Sequence, residues 1–193
     1  MNLPNRISLL RIILVPFMTA AYLINYKYAP VIAVCIFIVA AATDFLDGYI
    51  ARKRQLVTDL GKILDPIADK LLVVFALFLV VEARVMPLGM GAICGGIIIG
   101  RELLVNVIRQ VAASKNVIIH ANIYGKIKTI FQDISLPMLM LLKMESTLIG
   151  ISQIFFDAFR MASFVIFGIA VVLTLLSGII YIIQNRTVFG ENK

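Results

Sequence analysis

The sequence has few of the residues on which disulfide-linked domains depend. It has no tryptophan, one histidine and two cysteines among its 193 residues. Cys35 and Cys94 lie in separate apolar runs, and they do not form a C-x-x-C pair, so a disulfide-stapled secreted module is excluded. The chain also lacks a Walker motif and a dinucleotide-binding fingerprint.

Charged residues are scarce as well, at 15% of the chain, whereas hydrophobic residues make up 61%. Ordinary globular proteins have roughly 25% and 45–50% of these classes. A soluble protein of this size could not bury so much apolar surface, and the composition therefore predicts an integral membrane protein. The net charge of +7 need not indicate a nucleic-acid partner, because basic residues also mark the cytoplasmic ends of membrane spans, and no such partner is predicted.

Six apolar runs are long enough to cross a bilayer, which takes about 20 residues. They cover roughly residues 8–25, 30–51, 63–82, 87–110, 125–143 and 161–183. The short polar segment at residues 2–8 is predicted to lie along the membrane interface. The sequence thus predicts a single all-α membrane domain over residues 1–193, with six transmembrane helices and a short N-terminal interfacial segment.

Lysine and arginine in the connecting segments predict the orientation. One side holds ten of them: Arg6, Arg52, Lys53, Arg54, Lys62, Lys115, Lys126, Lys128, Arg186 and Lys193. The other side holds Lys27, Arg84 and Lys143, with Arg160 at the start of the last span. The positive-inside rule therefore places both termini in the cytoplasm and predicts a multi-pass protein of the cell membrane.

Acidic residues are concentrated in one short stretch. Five of the eleven acids fall within 26 residues: Asp44, Asp47, Asp59, Asp65 and Asp69. A carboxylate inside a bilayer costs about 2.5–3.5 kcal/mol on insertion scales, so such residues face a cavity and carry function by default. Asp44 and Asp47 are three residues apart, and Asp65 and Asp69 are four residues apart. Each pair therefore occupies one helical face, where like charges repel. A shared divalent cation, Mg²⁺ or Mn²⁺, would turn that repulsion into binding.

The residues between these acids form a longer motif. Gly48 and Ala51 leave room for a large ligand beside the acids, and Arg52 offers a planar fork for phosphate. The stretch from Asp44 to Asp69 matches D-x2-D-G-x2-A-R-x8-G-x3-D-x3-D at all eight specified positions. By this motif the chain resembles the CDP-alcohol phosphatidyltransferases.

Further segments are similar to those of family members that use glycerol 3-phosphate. They are residues 2–8, 64–71, Arg101-Glu102 with Arg109, and residues 125–129 with Gln132. The resemblance implies an enzyme that transfers the phosphatidyl group from CDP-diacylglycerol to glycerol 3-phosphate, releasing CMP. It also implies a homodimer, membrane lipids as partners and a site that faces the cytoplasm.

The resemblance assigns roles to individual residues of the motif. Asp44, Asp47, Asp65 and Asp69 would bind two divalent metal ions, and Asp69 would also act as general base. Gly48, Arg52 and Thr58 would contact the CDP moiety of CDP-diacylglycerol.

The phosphate of the acceptor requires cationic partners of its own. Arg101 lies inside the fourth span, Arg109 follows a little over two turns later, and Lys126 opens the next helix on the same side. We predict that these three residues bind glycerol 3-phosphate. An alternative is that they reach toward the interface or pair with Glu102.

Other interpretations stay open at this stage. Asp65 before Pro66 could cap a helix, although capping explains neither Asp44 nor Asp47. Intramembrane acids could line the path of a divalent-cation transporter, but no acidic pair lies on the outer half. A sister transferase could use inositol phosphate or serine, and the eight-residue motif does not separate these acceptors.

Overall fold

The structure is a computed structural model that describes most of the chain. The backbone is described for residues 3–54, 59–87, 89–114, 123–144, 150 and 152–185. Side chains are described for residues 5–43, 66–87, 89–113, 123–144, 150 and 152–185.

Within these residues the fold consists of six α-helices, without strands. The helices are α1 (Leu3–Leu23), α2 (Ala29–Arg54), α3 (Asp59–Glu82), α4 (Met90–Ser114), α5 (Ile123–Leu141) and α6 (Gln153–Gln184). Each predicted span coincides with one helix, so the all-α class is confirmed. The six membrane crossings and the cytoplasmic termini stay predictions.

Two helices extend further than the apolar runs indicate. α1 continues without interruption to Leu3 and includes most of the segment predicted to lie separately along the interface. α6 begins at Gln153, eight residues before the predicted span, because the hydroxyl of Ser152 accepts a hydrogen bond from the Phe155 N–H and caps the helix. Capping groups and polar first turns extend a helix beyond its apolar part, which hydropathy alone does not detect.

Within the described residues, three helices are long and apolar enough to cross a membrane by length and composition. These stretches are Asn5–Leu23, Met90–Ala113 and Gln153–Gln184. The apolar stretch Ala29–Thr43 of α2 is shorter. A membrane-embedded protein is thus supported by the structure as well as by composition.

The helices pack into one bundle. α1 packs against α2 and α3, α5 against α2, α3 and α6, and α4 against α3 and α6. The buried core includes Met18, Phe37, Leu77, Leu139 and Phe167, each from a different helix. Because lipid tails are as apolar as these side chains, close van der Waals packing holds such a bundle together in a bilayer.

One end of the bundle is fastened by contacts between α1 and the end of α5. The Tyr22 hydroxyl donates to the Met140 carbonyl at 3.1 Å, and the Lys143 ammonium donates to the Tyr22 carbonyl at 2.7 Å. At the other end α2 finishes at Arg54 and α3 begins at Asp59, with four residues between them. We call this second end the aspartate end.

Candidate active site

The fold brings the four motif aspartates to similar depths at the aspartate end. α2 and α3 pack against each other and are joined by four residues, as expected for antiparallel neighbours. Asp44 lies ten residues before Arg54, and Asp69 lies ten residues after Asp59, which is about 15 Å along each helix. By the same count, Asp47 and Asp65 are both about 10 Å from the connection.

Much of the predicted metal and CDP site lies outside the described side chains. This applies to Asp44, Asp47, Asp65, Gly48 and Arg52, whose helical backbone is described, and to Thr58 entirely. The described side chains include no group of three acidic, histidine or cysteine residues that could hold a metal ion. The donor chemistry of the four carboxylates fits a hard divalent cation, because their oxygens are the ligands that Mg²⁺ and Mn²⁺ prefer.

Asp69 lines an open cavity between α3, α4 and α5. Its wall is formed by Asp69, Lys70, Val73, Val74, Ile98, Ile99, Glu102, Leu103, Lys128, Thr129 and Gln132. All three helices contribute polar members, two from α3, one from α4 and three from α5, with apolar side chains between them. Binding sites that orient a ligand by a few polar contacts have this composition.

Glu102 is the centre of a charged cluster in this wall. Its Oε1 accepts hydrogen bonds from the Lys128 ammonium at 2.5 Å and from Arg101 Nη1 at 3.1 Å. Lys128 is only 3% exposed, and a buried charge of this kind is tolerated when it is paired. Together with Lys70 and Asp69, the cluster holds three cations and two carboxylates, a net charge of +1.

The predicted acceptor residues differ in their contacts and in their exposure. Arg101 is joined to its wall through Glu102, and the Arg109 Nε donates to the Tyr181 hydroxyl at 3.2 Å. Lys126 is exposed, whereas Lys128 is buried in the cavity wall. Two residues correspond to about 200° around a helix, so these lysines face in nearly opposite directions.

Gln132 contributes an open hydrogen-bonding position. Its side chain is 2% exposed and lines the same cavity as Asp69 and Lys128. Its Oε1 is buried and has no hydrogen-bond partner among the described residues. An unpaired buried amide oxygen is costly, and a ligand hydroxyl or ammonium would satisfy it.

Sequence reasoning did not assign four of these polar residues to a binding site. They are Lys70, Glu102, Lys128 and Gln132. The available signal was the presence of charged side chains inside apolar helices, which is unusual without a function. In the sequence, Lys128 is one of the charges that predict membrane orientation and part of the similar segment 125–129, and neither observation places it in a cavity. Arg11 of α1 is also a charged side chain that is completely buried.

Comparison with known proteins agrees with the motif. The model of the family "CDP-alcohol phosphatidyltransferase" matches residues 1–183. A protein of Bacillus subtilis named CDP-diacylglycerol–glycerol-3-phosphate 3-phosphatidyltransferase is 36% identical over 196 aligned residues, covering 95% of each chain. A protein of the same name from Rickettsia bellii is 34% identical over 93% of each chain. A third of that name, from Yersinia enterocolitica, is 33% identical over 92% of this chain and 91% of its own. This chain therefore belongs to the CDP-alcohol phosphatidyltransferase family.

Proposed function

We propose that this protein transfers the phosphatidyl group from CDP-diacylglycerol to glycerol 3-phosphate, a step of phospholipid biosynthesis. The products would be phosphatidylglycerophosphate and CMP. The names of relatives that match nearly the whole chain support this reaction. The observation that carries the proposal is the cavity in which Asp69 shares a wall with Lys70, Lys128 and Gln132. It combines a carboxylate that can accept a proton with cations that can hold an anionic acceptor.

In the proposed reaction Asp69 is the general base. Its carboxylate accepts the proton of the glycerol 1-hydroxyl, and the oxygen attacks the phosphorus nearer the lipid. A new P–O bond forms to glycerol 3-phosphate while the P–O bond to CMP breaks, and CMP leaves with the electron pair. This role needs Asp69 ionised and within hydrogen-bond reach of the hydroxyl, and its position in the cavity wall makes its carboxylate accessible to an acceptor bound there.

Members of the family generally use divalent metal ions. We propose that two such ions, Mg²⁺ or Mn²⁺, are held by Asp44, Asp47, Asp65 and Asp69. When bound, they would neutralise the pyrophosphate and the charge on departing CMP. The proposed contacts to the CDP moiety are Gly48, Arg52 and Thr58. Their motif spacing, with Arg52 one turn after Gly48, supports this assignment.

We propose that Arg101, Arg109 and Lys126 bind the phosphate of glycerol 3-phosphate, together with Lys128. Lys128 lies in the cavity wall, and Arg101 adjoins it through Glu102. Lys126 is exposed near the start of α5, where a cation attracts anions before they enter. Lys70 is within electrostatic range of Asp69, Glu102 and Arg109, which links Arg109 to the same group of charges.

Replacing Arg101 by Ala or Lys128 by Met should raise the KM for glycerol 3-phosphate about 10- to 100-fold, because each removes a charge-assisted contact to phosphate. The matched change Lys126→Met should have a smaller effect that declines as salt is added, since an exposed charge is screened. Arg109→Ala should raise the KM for glycerol 3-phosphate by as much as Arg101→Ala or by less. Steady-state kinetics with each substrate varied in turn will measure this, and the KM for CDP-diacylglycerol should stay near its wild-type value.

Unchanged glycerol 3-phosphate kinetics in both Arg101→Ala and Lys128→Met would contradict the proposed acceptor pocket. An equal rise in both KM values would also contradict it, because that result indicates a general disturbance of the bundle. Arg160→Ala is a suitable control, since Arg160 pairs with Asp157 at 2.9 Å and lies in the first part of α6, away from the cavity.

Gln132 is proposed to accept a hydrogen bond from a hydroxyl of the acceptor. The change Gln132→Leu keeps a similar volume but removes the open Oε1, and it should raise the KM for glycerol 3-phosphate about fivefold, as for the loss of one hydrogen bond. Kinetic analysis with both substrates checks this prediction. If Gln132→Leu leaves the glycerol 3-phosphate KM unchanged, the amide does not contact the acceptor.

The setting of the site is also part of the proposal. We propose that residues 1–193 form one domain in the cell membrane, with both termini and the aspartate end on the cytoplasmic side. The ten basic residues on that side support this orientation. A homodimer is proposed as the assembly, with membrane lipids surrounding it.

The proposed function can be tested by the release of CMP from purified protein in detergent. CMP should appear when CDP-diacylglycerol, glycerol 3-phosphate and Mg²⁺ or Mn²⁺ are all present. Omitting the acceptor or chelating the metal should each abolish it. CMP release at the same rate without glycerol 3-phosphate would contradict transfer, because it would indicate hydrolysis.

A further inference from the structure

The last helix, α6, contacts the arginines of α4, although its sequence is that of a generic membrane span. A Cβ atom added at Gly178 of α6 would lie 3.1 Å from Arg101 Cγ. One added at Gly125 of α5 would lie 3.3 Å from Arg101 Nη2. Arg101 therefore passes between two positions at which a side chain is absent, and both its stem and its guanidinium occupy the space that this leaves.

Arg109 is held by the same face of α6. Tyr181 is 1% exposed, and its hydroxyl accepts a hydrogen bond from Arg109 Nε at 3.2 Å. The Arg109 guanidinium carbon also lies 5.8 Å from the centre of the Tyr181 ring, within the range of a cation–π contact. Gly178 and Tyr181 are three residues apart and so share one helical face.

We propose that this face of α6 positions the guanidinium groups of Arg101 and Arg109 for the phosphate of the acceptor. The inference rests on the proposed function, in which these arginines bind glycerol 3-phosphate. An arginine has a long flexible side chain, and fixing it before the substrate arrives reduces the entropy lost on binding. Gly178 and Tyr181 would then be positioning residues that act on the acceptor without touching it.

The contact at Gly178 differs from that of another glycine on the same helix. A Cβ at Gly168 would meet nothing within 4 Å, whereas one at Gly178 would meet the stem of Arg101. Gly178 is also buried, and Gly168 is exposed. Gly168→Ala is thus a matched control for the general effect of alanine in α6, because both changes increase helix propensity by the same amount.

The first experiment compares Gly178→Ala with Gly168→Ala in full-length protein. At 3.1 Å the new Cβ would displace Arg101 by a few tenths of an ångström. Since a misplacement of about 1 Å can cost about 100-fold, the KM for glycerol 3-phosphate should rise roughly 3- to 10-fold in Gly178→Ala, with kcat and the KM for CDP-diacylglycerol little changed. Gly125→Ala should also raise the KM for glycerol 3-phosphate, whereas Gly168→Ala should have the wild-type KM.

The second experiment tests Arg109 through Tyr181→Phe. This change removes the hydroxyl that accepts from Arg109 Nε but keeps the ring. The KM for glycerol 3-phosphate should rise about fivefold, as expected for one lost hydrogen bond. Tyr26→Phe is the control, because Tyr26 is exposed in the turn after α1 at the opposite end of the bundle.

The outcomes separate this inference from the proposed function. If Arg101→Ala raises the glycerol 3-phosphate KM but Gly178→Ala and Tyr181→Phe match their controls, the arginines bind the acceptor without help from α6 and the inference is overturned. If Arg101→Ala itself has no effect, the acceptor pocket is misplaced. A rise in both KM values for Gly178→Ala, with a lower thermal unfolding temperature than Gly168→Ala, would also overturn the inference, because it indicates a packing role alone.

Discussion

Replacing Asp44, Asp47 or Asp65 by Asn is expected to reduce turnover by about 10³-fold or more, because each change removes a carboxylate from the proposed metal site. Asn has nearly the same shape as Asp and still offers one carbonyl oxygen, so the loss reports charge and metal affinity rather than volume. The initial rate of CMP release, measured over a range of Mg²⁺ and Mn²⁺ concentrations, checks this prediction. High metal concentration should restore part of the activity.

A control for this series is Asp157→Asn. Asp157 pairs with Arg160 in α6 and has no part in the proposed site, so the variant should have wild-type activity. Each protein should elute as a folded species in detergent and unfold at a temperature close to that of the wild type. Normal turnover in two of the three motif variants would contradict the assignment of these aspartates as metal ligands.

Asp69→Asn should show the second large effect, a decrease in kcat of about 10²- to 10⁴-fold, the usual contribution of a general base. The amide cannot accept the proton of the glycerol hydroxyl. If the base role dominates, CDP-diacylglycerol should still protect the variant against thermal unfolding, because a ligand that binds the native state raises the unfolding temperature.

Binding and turnover distinguish the two roles proposed for Asp69. A loss of substrate protection as large as the loss of turnover would indicate that Asp69 acts only as a metal ligand. Nearly normal kcat would exclude it as the base, and the cavity between α3, α4 and α5 would then need another proton acceptor.

The helices themselves could be predicted from the sequence because each apolar run is long and bounded by polar residues. The first residues of α1 and α6 could not be predicted in this way, because the polar first turn of α1 and the Ser152 cap of α6 carry no hydropathy signal. Family membership was predicted from the eight-residue motif and is confirmed by the family match. The roles of Asp44, Asp47 and Asp65 stay predictions.

The acceptor side of the site was harder to predict. Lys126 and Lys128 are the same residue type two positions apart, and only the packing of α5 against its neighbours decides which one faces the cavity. Pairing of Arg101 with Glu102 was among the alternatives, and the structure confirms it. The Arg109 bond to Tyr181 joins residues 72 positions apart, and such long-range contacts leave no local pattern in a single sequence.

Transfer of the phosphatidyl group to glycerol 3-phosphate can be measured as the formation of a labelled lipid product. Purified protein would receive CDP-diacylglycerol labelled in its phosphatidyl group, with glycerol 3-phosphate, inositol phosphate or serine supplied in turn and the lipid products separated. We expect labelled phosphatidylglycerophosphate with glycerol 3-phosphate and little product with the other two. Preferential labelling of a serine or inositol phosphate lipid would contradict the proposed acceptor, although membership of the family would stand.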